Sequence, residues 1–89
     1  MKKVKLFEKG PSYVADRIND AARWICEDWP EGCGFQTSDR NAVFSSALRD
    51  TIGAENAEGY FKGKVEISEI EMALFKNGVN NAISANLPG

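Results

Sequence analysis

Residues 24–35 hold both tryptophans, Trp24 and Trp29, and both cysteines, Cys26 and Cys33, beside the acids Glu27, Asp28 and Glu31. A structural zinc takes four thiolate or imidazole ligands, usually in pairs at short regular spacings. Here six residues separate the cysteines, and the chain has no histidine. Paired carboxylates act as acid and base only where a pocket drives their protonation apart, and a charged cluster at a helix end is more simply a solvated surface. Any general base would have to be carboxylate, lysine or thiolate, and no glycine-rich loop offers a phosphate cradle. The expectation is a protein that is not an enzyme, takes no cofactor or metal, and keeps Cys26 and Cys33 as buried free thiols.

The charge pattern points to binding instead. The net charge is −2, yet residues 1–9 carry four lysines against Glu8, whereas residues 10–59 carry nine acids against four arginines. Such segregation lets a folded chain present one face of each sign. No apolar run reaches the length of a membrane span, and no charged-then-apolar leader is seen, so a cytoplasmic protein with no membrane partner is expected. Eighty-nine residues with 43% apolar content suit a single small globular domain, 1–89.

The elements that carry these residues follow from periodicity. Val4 and Leu6 alternate with Lys3 and Lys5, which predicts a strand over about 3–8. Val14, Ile18, Ala21, Ala22, Ile25 and Trp29 recur at steps of three and four, predicting a helix over 12–28 that Ser12 caps and Pro30 stops. Trp24 sits about 80° from Val14 around that helix, beside Tyr13 and Arg17 and off the apolar stripe. A second helix is predicted over 39–52, with Phe44, Ala47, Leu48 and Ile52 inward.

After a polar loop at 54–59, the alternation of Phe61, Gly63, Val65 and Ile67 with Tyr60, Lys62, Lys64 and Glu66 predicts a strand over 60–67. Ser68 and Glu71 have the spacing of a capping box, and Ile67 and Met72 that of a hydrophobic staple, so a last helix starts near 69 and runs to about 84. Asn77 and Gly78 interrupt it, and a continuous or kinked helix is favoured over a hairpin turn there. The tail after about 86 is expected to fray. The resulting fold class is α+β: a small antiparallel sheet of two to three strands, the third near Phe35, packed against about three helices in the order β-α-α-β-α.

Residues 74–84 resemble the glycine turn and recognition helix of helix-turn-helix repressors, with Gly78 and Val79 opening the helix and Ile83 and Ser84 near its end. The resemblance implies a small DNA-binding transcriptional regulator using residues 70–87, with Asn80, Asn81 and Asn86 toward base edges. Residues 79–89 contain no lysine or arginine for phosphate, and the chain is acidic overall, so nucleic acid ranks second as a partner.

The leading expectation is a non-enzymatic protein-binding module, of the kind a phage or other mobile element uses to inhibit a larger host complex. An anti-CRISPR protein is a concrete example. Tyr13, Arg17 and Trp24 would anchor it, and Asp16, Asp20, Glu27, Asp28 and Glu31 would enter a basic groove that normally takes nucleic acid. A homodimer through Ile70 and Leu74, which project away from the last helix's predicted apolar stripe of Met72, Phe75, Val79 and Ile83, is a further expectation.

Overall fold

The computed structural model describes residues 1–27 and 37–86. Its elements are β1 (Lys2–Lys3), α1 (Pro11–Glu27), α2 (Thr37–Ile52), α3 (Ala54–Phe61), β2 (Val65–Glu66) and α4 (Glu69–Asn86). Helices dominate, and the two strands form a minimal parallel sheet in which Lys2 pairs with Val65 and Lys3 with Glu66. The antiparallel arrangement expected above is therefore wrong. Three helices lie between the strands in sequence, and so long a crossover returns the chain to the same end of its partner. The strand expected near Phe35, the helix stop at Asp28 and the frayed end after 86 fall outside the described residues.

Both strands are shorter than predicted, for local reasons. The first does not continue to residue 8 because the chain turns at Leu6. The Phe7 N–H donates to Glu71 Oε2 at 3.0 Å instead of to a sheet neighbour, and Gly10 N–H closes on Phe7 O at 3.0 Å. Leu6 is thereby delivered into the core at 2% exposure. Pro11, not a capping Ser12, opens α1, where its fixed φ suits the first helical position and its missing N–H leaves no orphan donor.

The larger correction is α3, a helix over residues read as a loop and the start of a strand. Ala54, Glu55, Ala57 and Glu58 are good helix formers, and buried Ala57 is its contact with the core. Its C-terminus accounts for the misleading alternation around residues 60–64. Lys64 N–H reaches Gly59 O at 2.7 Å and Gly63 N–H reaches Tyr60 O at 3.1 Å, with Gly63 at φ 76°. This pair of bonds around a left-handed glycine is a Schellman motif, which turns the chain into β2. Lys62 Nζ lies 2.7 Å from Glu58 Oε1 and holds that carboxyl below its ordinary value of 4.5, by hydrogen bonding first and charge second. Any stabilisation from it is present above that value and fades as the pH falls below it. Both groups are exposed, so the pair adds little.

A Cβ on Gly59 would stand 2.7 Å from Cγ2 of buried Val65. Gly59→Ala is expected to destabilise by about 1–2 kcal/mol despite alanine's better helix propensity, because that contact must move. A thermal melt of the variant checks this; an increase in midpoint would mean that β2 does not seat on α3 as described.

The core is built by Val14, Ile18, Ala21 and Ala22 of α1, Val43, Ala47 and Leu48 of α2, and Met72, Phe75, Val79, Ala82 and Ile83 of α4, closed by Leu6, Ala57, Val65 and Ile67. Of the predicted α1 stripe, Val14, Ile18, Ala21 and Ala22 are buried and Ile25 is partly buried, while Trp29 lies outside the described residues; Met72, Phe75, Val79 and Ile83 of α4 are all buried. On α2 Ala47 and Leu48 are buried as predicted, Val43 is buried as well, and the predicted Phe44 and Ile52 are only partly buried. α4 runs unbroken through Gly78, where a Cβ would lie 3.2 Å from Ile18 Cδ1. The glycine marks a close approach of α1 to α4, and the turn required by the helix-turn-helix resemblance is not formed.

Glu71 also departs from its expected role. Its carboxylate accepts from Phe7, 64 residues away in sequence, and ties the first turn of α4 to the N-terminal segment. Glu71→Ala is expected to cost about 1–2 kcal/mol by leaving a part-buried N–H unpaired, and Glu71→Gln, which keeps an acceptor oxygen, less than half of that. Urea denaturation of the two variants would show the difference, and equal stabilities would remove the bond from the account.

Candidate interaction face on the first helix

α1 is buried along one side by α2 and α4, and its other side carries Tyr13, Asp16, Arg17, Asp20 and Trp24 at successive helical turns. Five of the eight residues singled out in the sequence therefore share one surface. Glu27 is the last residue of α1, its side chain lies outside the described set, and so do Asp28 and Glu31.

Trp24 is 65% exposed, the geometry expected from its offset from the apolar stripe. It borders a shallow depression of about 560 Å³ lined by Asp20, Ala21 and Arg23 of α1 and by Ser46 and Asp50 of α2. An indole this open gains free energy when another surface covers it, and the surrounding charges give that contact direction.

The electrostatics are less one-sided than the sequence suggests. Asp20 accepts from Arg17 Nη2 at 3.3 Å through one carboxylate oxygen and from Arg23 Nη2 at 3.3 Å through the other. These ion pairs are solvated, so they organise the face more than they stabilise the fold. Further toward the N-terminus, two cations approach the Tyr13 ring: Lys9 Nζ is 4.9 Å and the Arg17 guanidinium carbon 5.4 Å from its centroid. Arg17 Nε is buried without a hydrogen-bond partner among the described residues, and the contact with the ring favours the guanidinium's charge there. The described part of the face is thus a mixed-charge surface around two aromatic side chains.

Sequence reasoning missed Arg23, Ser46 and Asp50. Arg23 follows the helix period to the solvent side, where an arginine is commonplace. The two α2 residues join the face only because α2 packs along α1, which no local pattern announces. Among the described residues, no group of three or more cysteines, aspartates or glutamates is arranged to hold a metal ion, and no helix is long and apolar enough to cross a membrane. No protein-family model matches the chain, and neither does any curated protein or solved structure, so the chemistry of this face is read from its own residues.

Proposed function

We propose that this chain is a non-enzymatic protein-binding module that docks on a larger protein or protein complex through the α1 face centred on Trp24. The observation that carries the proposal is the exposure of Trp24 on a rigid helix, ringed by Asp20, Arg23 and Asp50. Tryptophan, tyrosine and arginine are the side chains that most often dominate interface energies, and all three lie on this face. A helix also presents them at little ordering cost, since the backbone is already fixed.

The proposed consequence is inhibition. A partner that handles nucleic acid offers a basic groove, and Asp16, Asp20, Glu27, Asp28 and Glu31 supply carboxylates along and beyond the end of α1 to occupy it. This is the mode expected of a phage or mobile-element inhibitor of the anti-CRISPR kind.

The test is a comparative pull-down from bacterial lysate, with and without nuclease, using the tagged wild type and Trp24→Ala. A stoichiometric protein retained by the wild type and lost with the variant supports the reading. Equal retention by both, or recovery of nucleic acid alone without nuclease, contradicts it.

A further inference from the structure

α2, α3 and α4 meet around a second pocket, of about 510 Å³, whose chemistry differs from that of the Trp24 face and which shares no residue with it. Its aromatic wall is Phe44, Tyr60 and Phe61, and its cations are Arg40 and Lys76. Among the described residues no carboxylate lines it, although the chain has more acids than bases.

The wall is held from the core outward. Buried Phe75 meets Phe44 edge-on at 5.5 Å, Phe44 meets Phe61 edge-on at 6.1 Å, and Tyr60 meets Phe61 at 5.6 Å. Phe61, at the end of this chain of rings, remains 51% exposed. Arg40 Nη1 donates to Asn80 Oδ1 at 2.8 Å, Lys76 Nζ stands 6.0 Å from the Phe44 centroid, and both side chains line the pocket together with the rings. The volume falls within the range of pockets that enclose a small ligand.

An open aromatic ring and two cations in one cavity suit a molecule that joins a planar ring to an anion. An apolar ligand would leave the cations unused, and inorganic phosphate would leave the ring unused. We propose that this pocket binds a nucleotide unit, its base stacked on Phe61 and its phosphate held by Arg40 and Lys76. The unit belongs either to a free nucleotide or to a single strand, which offer the same chemistry.

Calorimetric titration of the full chain with adenosine 5′-monophosphate, adenosine, inorganic phosphate and a short oligothymidine tests this. The monophosphate should bind about tenfold or more tightly than adenosine or phosphate alone. Phe61→Ala should weaken it about tenfold. Lys76→Gln should weaken it too and reduce its salt dependence, as one phosphate contact is lost. Phe61→Leu keeps the side chain's packing while removing the aromatic face, and should weaken binding even if the alanine variant loses stability. Tighter binding of the oligothymidine than of the monophosphate assigns the site to single strands, and the reverse assigns it to free nucleotides. No binding of either at about 5 mM overturns the proposal, as does equal affinity for adenosine and its monophosphate, or an affinity that Phe61→Leu leaves unchanged.

Discussion

Phe75→Ala is expected to destabilise the protein by about 3–5 kcal/mol, the largest effect of any single truncation proposed for the described residues. Phe75 is fully buried on α4 and supports Phe44 on α2 through an edge-on contact at 5.5 Å. Its removal opens a cavity where two helices meet and withdraws the support of the aromatic wall. An 89-residue domain has total stability on the order of 5–13 kcal/mol, so the variant should stand near the margin of folding. Urea denaturation checks it: the midpoint should fall sharply while the slope stays close to wild type. A loss below about 1.5 kcal/mol would show that the site collapses or that α4 is not the spine of the core.

Trp24→Ala should act on the opposite quantity. At 65% exposure the side chain contributes little to folding, and the melting midpoint should move by less than about 2 °C. Affinity for the partner, by contrast, should fall by about 2–4 kcal/mol, roughly 30-fold to 1,000-fold, as expected when a central interface tryptophan is truncated. Calorimetry of the purified pair and a thermal melt of the free variant together read both effects. A large drop in midpoint would make Trp24 a packing residue, and an unchanged affinity would remove it from the interface.

The helices with a clean apolar stripe were legible in the sequence, because Val14, Ile18, Ala21 and Ala22, and Met72, Phe75, Val79 and Ile83, recur at the helical period and all are buried. Trp24 was legible for the same reason in reverse, since it lies off that stripe. α3 was not. Its helix formers share a short window with Gly53 and Gly59, and the turn at Gly63 places Tyr60 to Lys64 in an order that imitates strand alternation. On α2, Val43 and Phe44 are adjacent, and the choice of which points inward depends on where α1 and α4 lie.

Features set by distant packing left no local trace. The parallel sense of Lys2–Lys3 against Val65–Glu66, the bond from Phe7 to Glu71 and the approach of Ile18 to Gly78 all join residues far apart in sequence. For the candidate face, the α1 residues could be grouped from the helix period, whereas Asp50 and Ser46 could not. The pocket around Phe61 was hidden more deeply, since its residues come from three helices and one of those was not foreseen.

The proposed function depends on the Trp24 face meeting the partner. Amide hydrogen exchange of this protein, free and bound to the protein recovered in the pull-down, tests it most directly. Exchange should slow on binding over residues 17–25 of α1 and 46–50 of α2, where the Trp24 depression is formed. Protection confined to α3 and residues 76–80 of α4, with α1 unchanged, would contradict it.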